Sequence, residues 1–276
     1  MKKILAIVSL IFAFASTSAI ANDYKCDKKF IFFPGGPEGG PFGTIVYNGA
    51  VAAAEHTGCD VDYYWSQWNS EIMIKQFKEA VALQPDGIAI YGFPGDAAMR
   101  PIINEAIKKG IVITTMNTPL PDLEAELKTT GFGYAGADLF DAGFNLGKKG
   151  VEVCGLKAGD KAFIWGLASM PNRGERTKGA IAGVESMGVK VVYQEIPDNV
   201  NSDASQGTPM YVATYAANPD IKMAITDHGG LTASLPTYMK AAGHGTEAVC
   251  GAGFDLSAPI VDGINSGYID IVIDQQ

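Results

Sequence analysis

Short apolar runs alternate along the first half of this chain with longer amphipathic runs, and the alternation predicts strands followed by helices. The predicted strands are 30–33, 61–65, 87–91, 111–116 and 132–136, and the predicted helices are 44–56, 70–83 and 96–109. A polar connection punctuated by proline is expected at 117–130. Strands and helices in alternation imply a parallel sheet with helices on both faces.

The same rhythm restarts in the second half and predicts a second sheet of the same kind. Its predicted strands are 162–167, 190–195, 223–226, 248–254 and 269–274, and its predicted helices are 138–153, 173–187, 203–216, 230–242 and 257–265. We therefore predict an α/β fold of two similar doubly wound parallel-sheet lobes, 22–136 and 137–276, joined by short hinge crossings near 136–138 and 273–276. A ligand is expected in the cleft that faces the carboxyl ends of both sets of strands.

The loop at 34–43 is rich in glycine and proline, which raises the question of phosphate binding. A P-loop ends in Gly-Lys-Ser/Thr, whereas Gly40 is followed here by Pro41 and Phe42. The loop also lacks the dinucleotide fingerprint, and Glu38 would repel a pyrophosphate. Two interpretations remain. Either the loop offers backbone groups and the Phe42 ring to a ligand, or it is a flexible turn whose Phe42 covers the core.

The first 21 residues have the pattern of a secretory signal peptide, with a basic start at 1–3, an apolar core at 4–14 and a small-residue pattern that ends at Ala21. We expect cleavage after Ala21 and export of the remaining chain. No later apolar run reaches the ~20 residues that a membrane span needs.

The chain has four cysteines, Cys26, Cys59, Cys154 and Cys250, and none of them forms a close Cys-x-x-Cys pair of the kind that binds metal. In an oxidising compartment an even number favours disulfides over zinc. Cys26 and Cys59 each precede a strand, and the amino ends of neighbouring parallel strands lie side by side, so we predict that these two pair. Cys154 and Cys250 are the two cysteines that remain, and they either form a second bridge or stay as buried or free thiols.

The formal net charge of the chain is -9 at pH 7. The phosphates of nucleic acid or of an anionic membrane would be repelled, which argues against both as partners. An uncharged or cationic solute fits this charge better.

Several short motifs fall at the ends of the predicted strands. They are Pro41-Phe42, Asn117-Thr118-Pro119, Arg176-Thr177-Lys178-Gly179, Gly253-Phe254-Asp255 and Asp274-Gln275-Gln276. Their order, together with the signal peptide and the two lobes, resembles the type I periplasmic sugar-binding proteins, the ribose-binding-like group that serves ABC importers. The resemblance covers essentially all of the chain after Ala21 and implies a location in the periplasm.

The resemblance implies a set of ligand contacts. Phe42 would stack on a sugar ring, Asn117, Arg176 and Asp255 would bond hydroxyl groups, and Gln275 would approach from a hinge crossing. A sugar has apolar faces that stack on aromatic rings and a rim of hydroxyls that planar polar groups satisfy. The full set of predicted ligand-binding residues is Phe42, Trp65, Asn117, Asp138, Arg176, His228, Asp255 and Gln275.

The chain departs from ribose binders at several positions. Gly92 and Ala137 replace polar residues, and His228 stands where a ribose binder has an amide. Trp65 and Trp68 either add aromatic surface that a pentose does not need or are core and rim aromatics. The ligand is therefore expected to be larger or more apolar than ribose.

Each polar candidate also has a purely structural alternative. Arg176 would instead close the lobes by pairing with Glu175 or Asp255, and Asp255 would instead cap the helix that follows it. His228 has no nucleophile or metal beside it, and Ser169 does not lie in a Gly-x-Ser-x-Gly elbow, so no enzymatic activity is predicted. The three histidines are too scattered for a metal site, and no cofactor is expected.

The predicted function is a monomeric solute receptor that closes on a sugar-like molecule and presents it to the membrane permease of an ABC importer. The alternatives are delivery of the same ligand to a chemoreceptor or sensor kinase and, less favoured, an exported enzyme that acts on it. In the family a further helix and strand follow the Asp-Gln-Gln segment, so we expect the sequence to lack its C-terminal segment. Its absence would leave apolar surface uncovered near 43–56.

Overall fold

The computed structural model describes residues 26–275, and the first five strands of this part form one parallel sheet. The elements of this N-terminal lobe are β1 (Lys29–Gly35), α1 (Pro41–Thr57), β2 (Asp60–Trp65), α2 (Ser70–Ala82), β3 (Gly87–Tyr91), α3 (Asp96–Lys108), β4 (Val112–Met116), α4 (Pro121–Leu127) and β5 (Gly133–Ala135), with a 3-10 turn at Lys128–Thr130. The strand order is β2-β1-β3-β4-β5.

The second sheet is also parallel and has the strand order β10-β9-β8-β6-β7. The elements of this C-terminal lobe are α5 (Leu139–Val153), β6 (Lys161–Gly166), α6 (Glu175–Ser186), β7 (Lys190–Glu195), α7 (Asp198–Ser202), α8 (Thr208–Ala217), β8 (Ile221–Thr226), α9 (Gly229–Ala241), β9 (Cys250–Phe254), α10 (Ala258–Asn265) and β10 (Ile271–Ile273), with a 3-10 turn at Ala204–Gly207. The chain passes between the sheets over residues 136–138. The predicted fold class, two doubly wound parallel-sheet lobes, is confirmed.

Local sequence signals set where several helices begin and end. Pro41 lies in the first turn of α1, where a missing N–H costs no helical hydrogen bond, so this helix begins at Pro41 and not at the predicted residue 44. Gly58 ends it in the left-handed conformation, with φ 72°. Asn69 caps α2, because its side-chain oxygen accepts the N–H of Ile72 at 3.0 Å.

Two segments differ from the sequence prediction. The connection at 117–130 contains α4, which begins at a proline in its first turn. The single helix predicted at 203–216 is a 3-10 turn followed by α8 instead, and α7 lies before this segment. Asp203 caps the 3-10 turn by accepting the N–H of Ser205, and a proline in the first turn of α8 starts a new helix. These strong local start signals divide the segment.

Glycines let α5 and α6 pack in backbone contact. A Cβ at Gly143 would lie 1.9 Å from the carbonyl oxygen of Arg176, and a Cβ at Gly179 would lie 2.1 Å from that of Phe140. A side chain at either position would push the helices apart. The close packing therefore sets the position of the first turn of α6, which carries Arg176.

Both predicted disulfides are present. Cys26 is bonded to Cys59 with a Cα–Cα distance of 4.7 Å, and Cys154 is bonded to Cys250 with a distance of 5.8 Å. The first bridge joins the amino ends of β1 and β2, whose register pairs Lys29 with Asp60. Among the helices of residues 26–275, none has the length and apolar character needed to cross a membrane.

Candidate ligand-binding cleft

A cavity of about 330 Å³ lies between the two lobes, at the carboxyl ends of strands from both sheets. This volume is at the small end of the roughly 300–1,000 Å³ usual for ligand pockets, so the cleft suits a small solute. Its walls come from the N-terminal lobe (Pro37, Gly40, Pro41, Phe42, Gly43, Trp68, Phe93, Asn117), from the C-terminal lobe (Leu167, Arg173, Arg176, Asn201, Ser202, Asp203, Ala204, Ser205, His228, Gly230, Ala233, Ser234, Asp255) and from Gln275.

The wall from the N-terminal lobe is mainly aromatic. Phe42 enters from the first turn of α1, Trp68 from the turn after β2 and Phe93 from the loop after β3. The Trp68 ring centroid lies 6.1 Å from that of Phe42 and 6.3 Å from that of Phe93. The rings form one continuous apolar surface, suited to the C–H face of a cyclic ligand.

The wall from the C-terminal lobe carries buried charge. Asp227, which is 3% exposed, lies 2.6 Å from Arg173 through Oδ2, and its Oδ1 accepts the hydroxyl of Thr177 at 3.1 Å. The hydroxyl oxygen of Thr177 in turn accepts the N–H of Leu167. Asp227 is thus the counter-ion of Arg173, which lies in the turn before α6.

Arg176 is less well compensated than Arg173. Its side chain is 2% exposed, its Nε lies 3.9 Å from Asp227, and within residues 26–275 its Nε and Nη1 find no hydrogen-bond acceptor. The guanidinium lies 4.5 Å from the centroid of the Phe254 ring. Burial, and then the charge of Arg173, lowers the pKa of Arg176 to about 10. A buried guanidinium with free N–H groups at a cleft is set to bind an acceptor on a ligand.

His228 is a second free donor on this wall. Its Nδ1 accepts the N–H of Gly230 at 3.2 Å, which assigns the proton of the neutral ring to Nε2. That Nε2 is buried and has no partner among the described residues. Burial lowers the pKa of His228 to about 3, so the ring is neutral at ordinary pH. Unlike an amide, His228 therefore presents only a donor to the cleft.

A hydrogen-bonded chain joins the lobes on the hinge side of the cleft. Asn117 donates to the Oε1 of Gln275 at 3.0 Å, Gln275 donates to Oδ1 of Asp255, and Oδ2 of Asp255 accepts the N–H of Gly229 at 2.8 Å. Asn117 and Asp255 have φ of 57° and 74°, a left-handed backbone that Asn and Asp adopt more readily than other side chains. Burial raises the pKa of Asp255, and Arg176 opposes that shift.

The lowered pKa of His228 leads to a prediction about acid stability. Below about pH 6.5 the unfolded chain protonates this histidine, whereas folded His228 stays neutral until about pH 3, so acid favours the unfolded state. We expect the difference in unfolding free energy between wild type and His228→Asn to be constant above neutral pH. It should shift in favour of the variant as the pH falls from 6.5 towards 3, measured by urea unfolding. A difference independent of pH would show that His228 titrates like a solvated histidine.

The structure brings most of the predicted site residues together. Phe42, Asn117, Arg176, His228, Asp255 and Gln275 line the cleft, whereas Trp65 and Asp138 do not. The Trp65 ring packs on Tyr47 of α1, with centroids 5.6 Å apart. Asp138 is exposed and caps α5 by accepting the N–H of Asp141 at 2.9 Å. Both side chains are thus engaged in local structure.

Sequence reasoning missed other cleft residues. Arg173 lies three residues before Arg176 within the helix predicted at 173–187, a spacing that places both on one side of a helix, although in the structure Arg173 lies in the turn before α6. Phe93 follows β3 in the loop that faces the cleft, and only its place after a buried strand indicated a role. The alternative role given for Asp255 was to cap the helix that follows it. In the structure Ser257 is the cap residue of that helix, α10, and the carboxylate of Asp255 instead accepts the N–H of Gly229 at the start of α9.

A second cavity of about 410 Å³ lies beside the cleft, between α1 and the sheet of the N-terminal lobe. Ile45, Val46, Ala50 and Met116 are among its largely apolar lining residues. This is the region where the sequence predicted uncovered apolar surface. Over residues 26–275, no three His, Cys, Asp or Glu side chains are grouped so that they could hold a metal ion.

Two doubly wound lobes around a cleft with an aromatic wall and a polar wall are the architecture of a two-lobed binding protein. The model of the periplasmic binding protein domain family matches residues 31–276, and the chain belongs to this family. Membership places it in the periplasm or the extracellular space.

Individual relatives are distant. The xylose/arabinose-binding protein XylF of Sulfolobus acidocaldarius is 21% identical over 232 residues, which cover 79% of this chain; the chain spans 55% of the length of this relative. An ABC transporter periplasmic solute binding protein from Actinobacillus succinogenes, solved with bound D-allose, is 21% identical, with a TM-score of 0.77 over 90% of this chain and 85% of that one. A XylFII-LytSN complex gives 20% identity and a TM-score of 0.79 over 90% and 87%. These structures share the fold.

Proposed function

We propose that this protein is a periplasmic receptor that binds a sugar-like solute between its lobes and delivers it to an ABC importer. The observation that carries the proposal is the cleft itself, which sets the aromatic wall of Phe42, Trp68 and Phe93 opposite the free donors of Arg176 and His228. A relative named for xylose and arabinose and a solved structure with bound D-allose support a sugar as the class of ligand.

The two walls suit the two faces of a sugar. The ring C–H groups stack on aromatic side chains, and oxygens at the other edge accept hydrogen bonds from buried donors. Because an unpaired buried donor costs about 1–3 kcal/mol, a ligand that supplies acceptors to Arg176 and His228 is favoured over one that does not. The donor-only character of His228 favours an oxygen at this point that acts as an acceptor.

The formal net charge of -9 agrees with a receptor that avoids phosphate-rich partners. The proposal includes export by a signal peptide cleaved after Ala21, a segment that lies outside the described residues. It also includes a monomeric state and docking of the closed form on a permease of the inner membrane.

A second candidate function is delivery of the ligand to a chemoreceptor or sensor protein. The XylFII-LytSN complex favours this candidate, since a protein of the same fold forms a complex there with a second protein. Co-purification from membranes separates the two: capture of a permease supports import, and capture of a receptor with an intracellular signalling domain supports sensing.

Enzymatic turnover is not part of the proposal. The Oγ of Ser169 donates to Glu195 at 2.7 Å, and His228 uses its acceptor nitrogen on Gly230, so neither side chain has the nucleophile-and-base arrangement of acyl transfer. A bound sugar recovered unchanged after long incubation would agree with a receptor.

The test is a thermal-shift screen with D-xylose, L-arabinose, D-allose, sugar alcohols and nucleosides. A ligand of the native state at 1,000 times its Kd adds about 4 kcal/mol to stability, which raises the melting temperature. We expect a sugar to do so, and Trp68→Leu to weaken its binding by about tenfold through loss of ring stacking. Trp65→Leu is the matched control, because Trp65 packs on Tyr47 outside the cleft. Stabilisation by none of the sugars and sugar alcohols would reject the proposed ligand class.

A further inference from the structure

The two lobes also meet outside the cleft lining, through a short segment of the C-terminal lobe. Residues 168–172 follow β6 and lie between the cleft residues Leu167 and Arg173. Met170 packs against the apolar cores of both lobes. Pro171 faces the N-terminal lobe so closely that a Cβ added at Gly95 would lie 2.8 Å from its Cβ. The loop before α3 thus has no room for a side chain at this point.

Asn172 makes the polar part of this contact. Its Nδ2 donates to Oδ2 of Asp96 at 2.8 Å and to the carbonyl oxygen of Pro119 at 3.1 Å. Asp96 is itself held in place, because its Oδ1 accepts the N–H of Leu123 at 3.0 Å. One amide of the C-terminal lobe therefore binds both the start of α3 and the loop after β4 in the N-terminal lobe. We call Gly95, Asp96, Pro119 and residues 170–172 the rim contact.

The segment is also fixed on its own lobe. The hydroxyl of Tyr193 accepts the N–H of Ala168 at 3.0 Å and donates to Glu195. The other oxygen of Glu195 accepts the hydroxyl of Ser169 at 2.7 Å. Asn172 has a φ of 54°, so its backbone is in the left-handed region that asparagine tolerates. The amide is thus presented to the opposite lobe by a segment that is already ordered.

The residues of the rim contact do not line the cleft. The hydrogen bonds of the rim contact join the loop after β6 in one lobe to the start of α3 and the loop after β4 in the other. These bonds can form only when the two lobes are close together. A contact made in one of two conformations shifts the equilibrium between them and changes the apparent affinity of a ligand that binds in that conformation.

We propose that the rim contact, through Asn172 and Asp96, sets the affinity of the receptor by stabilising the closed arrangement of the lobes without touching the ligand. The inference rests on ligand binding by lobe closure as in the proposed function. Asn172 and Asp96 are positioning residues, and their effect reaches the ligand through the distance between the lobes.

The test compares four variants. Asn172→Gly removes the amide and keeps the positive φ, and we expect it to raise the Kd about tenfold, as for loss of two net hydrogen bonds. Asn172→Asp keeps the shape but sets a carboxylate against that of Asp96, so a larger loss is expected. Asn172→Asp combined with Asp96→Asn restores one donor and one acceptor and should recover part of the affinity. Asn265→Asp, an exposed change of the same charge on α10, is the control.

The Kd is measured by calorimetry with whichever of D-xylose, L-arabinose and D-allose stabilises the wild type most, and small-angle X-ray scattering reports the radius of gyration with and without that sugar. Unchanged Kd in both single variants overturns the proposal, as does failure of the double variant to recover affinity. Should none of the sugars bind, the proposed ligand class fails separately. Ligand-free scattering then decides the rim contact, with a larger radius in Asn172→Asp supporting it and an unchanged radius rejecting it.

Discussion

Replacing Arg176 by methionine is expected to weaken solute binding by at least ~2 kcal/mol, about thirtyfold in Kd, while the chain stays folded. Methionine keeps the length and packing of the side chain but removes its donors. The ligand oxygen that met the guanidinium would then be buried without a partner. Asp227 would keep its hydrogen bond from Thr177 and its ion pair with Arg173, so the surrounding network survives.

The same substitution separates binding from folding. Arg176 is buried with two unpartnered nitrogens and lies near the positive charge of Arg173, so an apolar replacement removes the cost of burying that charge. The melting temperature of Arg176→Met without ligand should therefore equal or exceed that of wild type. A fall in melting temperature with unchanged Kd would mean that Arg176 serves the lobe and not the ligand.

Asp255→Asn is the companion variant, because asparagine preserves the shape and tolerates the φ of 74°. The NH2 group of the new asparagine would face one of the two donors that Asp255 now accepts, the N–H of Gly229 or the side-chain amide of Gln275, and that hydrogen bond would be lost. We therefore expect a loss of ligand affinity of similar size. Arg100→Met is the matched control, since Arg100 pairs with Glu126 on the N-terminal lobe outside the cleft. Calorimetric titration of all three with the sugar found in the screen measures the effect. Unchanged affinity in both cleft variants, with folding intact, would reject the cleft as the binding site.

The alternation of apolar strands and amphipathic helices was enough to predict both sheets, because burial on both faces leaves a strong pattern. Residues 30–33 and 162–167, for example, are apolar runs whose buried side chains form the centre of each lobe. The pairing of Cys26 with Cys59 also followed, since parallel strands align their amino ends.

The cleft was less predictable where a residue's role depends on contacts between distant segments. Trp65 is the last residue of β2 and Trp68 lies in the turn after it, and no local pattern says which one faces a ligand. In the structure Gly35 and Gly36 make room for Trp68, because a Cβ at these positions would lie 2.3 Å and 2.5 Å from its ring. The glycine-rich loop therefore seats an aromatic side chain of the cleft, a role that its sequence alone did not indicate.

The charged wall shows the same limit. Which of Arg173 and Arg176 has its charge neutralised depends on Asp227, which lies more than 50 residues away in the sequence. Asp227 follows β8, and only the sheet order, with β8 next to β6, brings it close to the two arginines. Helix boundaries were missed for the opposite reason. At 203–216 the Asp203 cap and a proline divide a segment that was predicted as one continuous helix.

Removal of either disulfide is expected to destabilise one lobe selectively. Cys26 and Cys59 both belong to the N-terminal lobe, and Cys154 and Cys250 both belong to the C-terminal lobe, with sequence separations of 33 and 96. A disulfide lowers the conformational entropy of the unfolded chain, which stabilises the folded state by roughly 4 kcal/mol for the shorter loop and roughly 5 kcal/mol for the longer one. Removal of the bridge loses this stabilisation. Each value is a large part of the ~5–15 kcal/mol that stabilises a typical domain.

Paired Cys26→Ala/Cys59→Ala and Cys154→Ala/Cys250→Ala variants test this without leaving a free thiol. In urea each should show two transitions, the first from the lobe that has lost its bridge, because cooperative unfolding is divided when the lobes differ in stability. The Cys154→Ala/Cys250→Ala variant should lower the urea midpoint of the C-terminal lobe more than the Cys26→Ala/Cys59→Ala variant lowers that of the N-terminal lobe. Since none of these cysteines lines the cleft, the Kd of the folded variants should match wild type. Identical unfolding of a paired variant and wild type would show that the corresponding bridge does not form.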